Sequence, residues 1–172
     1  MAQDYTELPL SHDPTTSVLF DTASGLVAGA TDAGLTIATA ESLTAGQLAA
    51  TIADIPGASA VLRGGLVVYA TDLKRTLAGV PEDVLSEFGP VSPETAAALA
   101  RGASDRCGAD IGIGLTGVAG PDSQDGVAPG TVFLGLSRGM SVTVHKLEIN
   151  GDRARIRAAA TLAGLDLARS AL

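Results

Sequence analysis

Apolar residues recur at helical spacing over residues 18–30, and this periodicity predicts the first helix of the chain. Gly34 follows the last apolar position, where a glycine commonly ends a helix. Residues 35–39 favour a strand that runs into Ala40-Glu41-Ser42, and a second helical pattern begins at Thr44. After residue 14, the predicted order is therefore helix, strand, tight turn, helix.

The middle of the chain predicts one buried strand followed by helices. The apolar run 66–69 is typical of a strand, and residues 72–77 are typical of a short helix. Ser92 with Pro93 is a strong helix start, because the serine hydroxyl caps free amides and proline suits the first helical position. That helix is expected to end at Gly108.

The last third of the chain predicts a strand, a hairpin and a closing helix. Residues 111–115 alternate apolar residues with glycine, and the loop 117–130 separates them from two strands, 131–137 and 141–149. Amphipathic helical periodicity then begins at Asp152. Strands that alternate with helices predict an α/β fold, and we expect a three-layer α/β/α sandwich with a mixed, mostly parallel sheet.

Composition and charge predict one domain and reduce the classes of partner. The 172 residues are 46% hydrophobic, which suits one domain at 15–172 after a flexible tail at 1–14. The formal net charge of −8 disfavours nucleic acid, because no excess of Lys and Arg displaces counterions. No apolar run reaches the roughly 20 residues of a membrane span, and the tail lacks signal-peptide character. We expect a cytoplasmic protein with no membrane partner.

Neither disulfide nor metal chemistry is indicated by the sequence. Cys107 is the single cysteine, and its place in a helical pattern favours a small buried hydrophobe. No Cys/His cluster has metal-ligand spacing, and Asp122 and Asp125 do not match a calcium loop. No metal and no cofactor are therefore expected.

Three predicted strands end in segments that carry candidate functional residues. Sheets of this kind bind ligands beyond the carboxyl ends of their strands, so Ser42, Tyr69 with Lys74, and Thr116 are expected to converge on one crevice. Ser42 lies between a strand and a helix start, where free amides stabilise an oxyanion. A simple helix-capping role is the alternative for Ser42 and Thr44.

A serine nucleophile needs a base, and the sequence offers two histidines and two lysines. His12 lies in the predicted tail and His145 on a predicted strand, so neither is well placed. Lysine serves as a base when burial lowers its pKa, and Lys74 is the better placed lysine. The alternatives are a solvated helix-face charge for Lys74 and a strand tyrosine with a satisfied hydroxyl for Tyr69.

Two further segments offer backbone or charge to a substrate. The glycines of residues 117–120, directly after Thr116, permit close approach of the backbone to a phosphate or sugar. Arg153 at the start of the last helix presents a planar donor for phosphate, although Arg155 and Arg157 lie nearby. A turn-rich connection and a surface charge cluster are the alternatives at these two places.

Four segments in register resemble the CinA carboxy-terminal domain family over roughly residues 17–172. These are AESLTAG at 40–46, Tyr69 to Lys74, TGVAGP at 116–121, and Gly151-Asp152-Arg153. The resemblance implies an amidohydrolase that converts nicotinamide mononucleotide to nicotinic acid mononucleotide and ammonia. It also implies a homo-oligomer, because related domains self-associate.

The resemblance assigns roles to residues by their position. Ser42 corresponds to the nucleophile, Lys74 to its base and Tyr69 to a partner in proton transfer, with amides at the helix start holding the oxyanion. The substrate-binding residues that it implies are Thr44, Gly46, Thr116, Gly117, Ala119, Gly120 and Arg153.

The chain departs from the usual family pattern at several positions. Ala70 and Thr71 differ from the residues common after the tyrosine. Residues 123–128 differ from the usual loop pattern, which affects the expected strength of substrate binding. Some members carry a separate amino-terminal domain, whose activity is not expected of the short tail. Two alternatives stay open: a non-catalytic nucleotide-binding module linked to competence or DNA damage, and an amidase for another small amide.

Overall fold

A computed structural model describes residues 3–172 as a six-stranded sheet with helices on both faces. The strands are β1 Thr6–Glu7, β2 Ile37–Glu41, β3 Leu62–Val67, β4 Ile111–Gly117, β5 Thr131–Arg138 and β6 Ser141–Glu148. The helices are α1 Thr16–Ala33, α2 Gln47–Ala53, α3 Thr71–Thr76, α4 Glu82–Phe88, α5 Pro93–Cys107 and α6 Arg153–Ser170, with a 3₁₀ turn at Ala58–Ala60.

The sheet has the strand order β1-β6-β5-β4-β2-β3. β2 is parallel to both β3 and β4, and β1 is parallel to β6, whereas β5 is antiparallel to both of its neighbours. The predicted fold class, a mixed and mostly parallel sheet between helical layers, is confirmed. Because β2, β3 and β4 run in the same direction, their carboxyl ends meet at one edge of the sheet.

Each face of the sheet has its own buried core. α1, α2 and α6 cover one face, where Leu26, Leu48 and Ile113 are fully buried. α5 covers the other face and packs closely, because glycines on β4 and β5 leave room for its backbone. A Cβ at Gly114 would lie only 2.4 Å from the Ala100 nitrogen, so a larger residue there would displace α5.

Several predicted boundaries differ from the observed ones for local reasons. β3 begins at Leu62 rather than at residue 66. It is an edge strand whose residues alternate between half-buried and exposed, so it lacks the continuous apolar run from which a buried strand is predicted. α2 begins at Gln47 rather than Thr44, because Ala45 and Gly46 have left-handed backbone with φ of 53° and 92°. α4 was not predicted, since it has no buried residue and therefore no apolar stripe.

The segment 3–14 runs along the β6 edge of the sheet. Thr6 and Glu7 pair with β6, Tyr5 packs edge-on against Phe133 at 5.9 Å between ring centroids, and Asp13 contacts Arg155 at 2.7 Å. A two-residue strand leaves no alternation to detect, so the sequence did not predict it. Residues 1 and 2 of the expected flexible tail lie outside the described residues, and the mobility of the tail stays a prediction.

Two smaller expectations concern the helices. Cys107, at the last position of α5, packs against the core but is only partly buried, so it is less buried than expected. None of the helices that residues 3–172 form is long and apolar enough to cross a membrane.

Candidate active site

A cavity of about 250 Å³ lies beyond the carboxyl ends of β2, β3 and β4. The turn after β2, the junction between β3 and α3, the loop after β4 and the start of α6 all contribute to its walls. The structure thus brings together seven of the ten residues singled out from the sequence: Ser42, Tyr69, Lys74, Gly117, Ala119, Gly120 and Arg153.

Ser42 and Lys74 are in direct contact inside this cavity. The Lys74 Nζ lies 3.0 Å from the Ser42 Oγ, and the two residues are only 2% and 8% exposed. Nζ also donates to the carbonyl oxygens of Val68 at 2.9 Å and Tyr69 at 3.4 Å. A neutral amine has two N–H donors and one lone pair, so the two carbonyls and the serine hydroxyl satisfy it completely.

Burial lowers the pKa of Lys74 from 10.5 to about 8. Removing an ammonium from water disfavours its charged form, and no carboxylate among residues 3–172 forms an ion pair with Lys74 to compensate. A substantial neutral fraction is therefore present near pH 8. A neutral amine beside a serine hydroxyl is able to accept its proton.

Glu41 immediately precedes Ser42 and organises the turn that carries it. Its buried carboxylate accepts a hydrogen bond from Thr39 Oγ1 at 2.9 Å and three from backbone amides. Those amides belong to Gly46, Leu48 and Ala49, at 3.0, 3.1 and 2.8 Å. The side chain of Glu41 thus fixes the start of α2 relative to β2 and satisfies a charge that burial would otherwise destabilise.

Tyr69 and Arg153 join two walls of the cavity on its exposed side. Arg153 donates through Nη2 to the Tyr69 hydroxyl at 2.8 Å and through Nη1 to the Gly120 carbonyl at 3.0 Å. Tyr69 is 54% exposed, in contrast to the buried Ser42 and Lys74. The predicted alternative of a buried strand tyrosine is wrong, because the chain leaves the sheet after Val67.

Three of the ten residues lie outside the cavity lining. Thr116 is fully buried and its hydroxyl donates to the Pro90 carbonyl at 2.6 Å. The amide of Gly46 donates to Glu41, and Thr44 is fully buried behind the turn. Direct substrate contact by the side chains of Thr44 and Thr116 does not follow from their positions, and the contacts of Thr116 and Gly46 instead favour support of the cavity walls.

Neither histidine lines the cavity. His145 lies on β6, where burial lowers its pKa, and His12 lies in the segment before α1. Within residues 3–172, no group of three or more His, Cys, Asp and Glu side chains is arranged to hold a metal ion. Lys74 is therefore the titratable group in contact with Ser42.

The family model of the CinA C-terminal domain matches residues 20–172. This chain belongs to the CinA C-terminal domain family. A CinA-like protein of Frankia casuarinae is 44% identical over 153 residues, which are 88% of this chain and 35% of that relative. A putative competence-damage inducible protein of Desulforamulus reducens is 45% identical over 138 residues, 80% of this chain and 34% of the relative. The chain spans about one third of the length of these relatives.

Solved CinA-family structures share the fold. The crystal structure of competence/damage inducible protein CihA from Agrobacterium tumefaciens has 33% identity and a TM-score of 0.84, covering 87% of this chain and 93% of that one. A CinA superfamily protein from Escherichia coli has 27% identity and a TM-score of 0.86, covering 95% and 94%. Three of these names mention competence and damage, the Frankia relative is named only as CinA-like, and none of the four states a reaction.

The structure adds two residues that the sequence did not single out in this CinA domain. Glu41 was predicted no role of its own within the segment 40–46, although a carboxylate between a strand and a helix start is a signal for amide capping. Arg157 donates to the carbonyls of Leu43 and Thr44 across more than 110 residues of sequence. Its position in α6, one turn after Arg153, gave no sign of that contact.

Proposed function

We propose that this CinA-family domain is a serine amidohydrolase that deamidates nicotinamide mononucleotide to nicotinic acid mononucleotide and ammonia. The observation that carries the proposal is the buried contact of 3.0 Å between Ser42 Oγ and Lys74 Nζ. Family membership supports it, because the resemblance implies this reaction for the same residues.

The proposed reaction has two halves that share Lys74 as the proton carrier. Neutral Lys74 takes the Ser42 proton as Oγ bonds to the carboxamide carbon, and the resulting ammonium protonates the leaving nitrogen as the C–N bond breaks. Ammonia departs and an acyl-serine ester remains. Water then attacks the ester, its proton passes to Lys74, and the carboxylic acid leaves as Ser42 recovers its proton.

The exposed side of the cavity suits the nucleotide part of the substrate. Gly117 and Gly120 place backbone without side chains at the wall, and Arg153 supplies a guanidinium at the same edge. Tyr69 offers a ring face for the pyridine, since more than half of its surface is exposed. We assign the phosphate to the side of Arg153 and the carboxamide to Ser42.

Another small amide is the second candidate substrate. Arg153 already donates to Gly120 and Tyr69, so the donors it has left for a phosphate are few. Asp122 also lines the cavity and would repel a phosphate placed near it. A substrate without phosphate would avoid both effects.

The test is ammonia release from nicotinamide mononucleotide, its riboside and nicotinamide, with a chelator present throughout. We expect wild-type turnover of the mononucleotide, and losses of at least about 10³-fold in Ser42→Ala and Lys74→Ala. Ser86→Ala and Lys146→Ala are matched controls, because an exposed serine on α4 and a lysine on β6 lie away from the cavity.

The outcomes separate the candidates. Preference for the riboside or for nicotinamide would replace the mononucleotide with a smaller amide as substrate. No turnover of any of the three by a folded wild type, with binding of the mononucleotide retained, would support a binding module instead.

A further inference from the structure

Most backbone amides around Ser42 are already used. The Ser42 amide donates to the Leu115 carbonyl at 2.9 Å, and the first amides of α2 are occupied by the Glu41 carboxylate. Within residues 3–172, the amides of Leu43 and Thr44 have no hydrogen-bond acceptor. The helix start expected to hold an oxyanion is therefore not free, whereas the turn before it is.

Arg157 binds that turn from its carbonyl side. Its Nε donates to the Leu43 carbonyl at 3.0 Å and its Nη2 to the Thr44 carbonyl at 2.8 Å. Arg157 is half-buried, does not line the cavity, and forms no ion pair among residues 3–172. A half-buried guanidinium that donates to two carbonyls of one turn restrains the conformation of that turn.

Peptide geometry links Arg157 to the free amide of Thr44. In a trans peptide the C=O and N–H of one unit point in opposite directions, so a fixed Leu43 carbonyl fixes the Thr44 amide. The cation also polarises this peptide unit, which strengthens the Thr44 N–H as a donor. Leu43 lines the cavity next to Ser42, in the position after the nucleophile that commonly supplies an oxyanion donor.

We propose that the amides of Leu43 and Thr44 bind the oxyanion formed at Ser42, and that Arg157 is the residue that positions the Thr44 amide. The inference rests on the proposed function in one respect, the role of Ser42 as the acylated nucleophile. When Oγ bonds to the carbonyl carbon, the C=O electron pair moves to oxygen, which accepts both N–H groups. Collapse of this intermediate restores C=O and expels ammonia.

The test compares Arg157→Lys with Arg155→Lys. Arg155 lies on the same helix but donates to Asn150 and Asp13, away from the turn, and so serves as the matched control. Two rates are measured: phosphonylation of Ser42 by a small alkyl fluorophosphonate, followed by intact mass, and ammonia release from nicotinamide mononucleotide. Phosphonylation of Ser42 builds negative charge on the phosphoryl oxygen, and the probe has no nucleotide part that the cavity must recognise.

We expect Arg157→Lys to lower the phosphonylation rate and kcat by about 10–100-fold, with KM within about 3-fold of wild type. The pH midpoint of the reaction stays unchanged, because the Lys74 contacts are intact. Arg155→Lys reacts at the wild-type rate in both assays. If Arg157→Lys does not fold, Arg157→Ala with added methylguanidinium is used, and recovery of the phosphonylation rate is expected.

Other results overturn the inference or separate it from the proposed function. Wild-type rates in folded Arg157→Lys, or a change in KM alone, would show that Arg157 does not act on the oxyanion. Phosphonylation of wild-type Ser42 without ammonia release would reject the substrate and leave the role of Arg157 in place. If wild-type Ser42 is neither phosphonylated nor active on the nucleotide, both proposals fail.

Discussion

The two sides of the cavity differ in how they hold their polar groups. On one side Lys74 is 2% exposed and Glu41 is fully buried, and each polar atom of their head groups has a protein partner. On the other side Tyr69 is 54% exposed, and Arg153 and residues 121–126 are also exposed. Burial shifts the pKa of a lysine and fixes geometry, whereas exposure admits a ligand. We therefore propose that the buried side carries the chemistry and the exposed side recognises the substrate.

The largest expected effect comes from removing the amine on the buried side. Lys74→Met should lower kcat by at least about 10³-fold, because no other titratable side chain within residues 3–172 forms a hydrogen bond with Ser42. It should also raise stability by on the order of 1 kcal/mol at pH 7, or about 2–4 °C in Tm, since burying an ammonium is costly. Thermal unfolding and ammonia release measure the two quantities. A less stable Lys74→Met protein would contradict the costly burial of Lys74.

Glu41→Gln tests whether the buried carboxylate maintains the turn. An amide NH₂ would face backbone donors in place of an oxygen, so we expect a stability loss of about 2–3 kcal/mol and a decrease in kcat of about 10²-fold. The matched control is Asp110→Asn, because Asp110 also accepts a backbone amide but lies exposed at the opposite end of β4. Denaturant unfolding and steady-state rates report both values. Equal effects in the two variants would show that Glu41 has no particular role in the turn.

The pH profile tests the titration of Lys74 directly. The pKa of about 8 means that the neutral base is lost as pH falls, so log kcat/KM should rise with a slope of one below pH 8 and level off above it. Between pH 8 and pH 6 the rate should fall by about 50-fold. Lys146→Ala should keep the same midpoint. A midpoint near pH 6–7 would instead indicate a histidine as the base.

The exposed side should give the smallest effect, confined to binding. Arg153→Ala removes the contacts to Tyr69 and Gly120, and we expect KM for nicotinamide mononucleotide to rise about 10-fold with kcat within about 3-fold. Arg155→Ala is the control and should leave both parameters unchanged. A loss in kcat larger than the change in KM would place Arg153 in the chemical step. The exposed side would then not be confined to substrate binding.

The sequence predicted the fold and the meeting of the three strand ends, because both follow from local patterns. Periodicity located α1, α5, α6 and the β5–β6 hairpin, and parallel strands bring their carboxyl ends to one edge. β1 was not predicted because it has only two residues, and α4 was not predicted because it has no buried face. Sequence periodicity is therefore sufficient to predict a helix or strand only where that element has a regular buried face.

Side-chain partners in the site could not be predicted in the same way. The Thr116 hydroxyl reaches Pro90 because glycines let α5 lie close to β4, which depends on the packed core. The pairing of Arg157 with the turn after β2 depends on how α6 lies across the sheet. These contacts join distant parts of the chain, and only the tertiary structure shows which polar groups are occupied.

The three partners of Lys74 have a kinetic consequence. The carbonyls of Val68 and Tyr69 and the Ser42 hydroxyl satisfy Nζ whether it carries a proton or not. Transfer of a proton between Oγ and Nζ therefore requires no rotamer change and little reorganisation energy. The resting and protonated forms should share one heavy-atom arrangement, so this step should continue even when the domain is held rigid, as in a crystal lattice or a frozen glass.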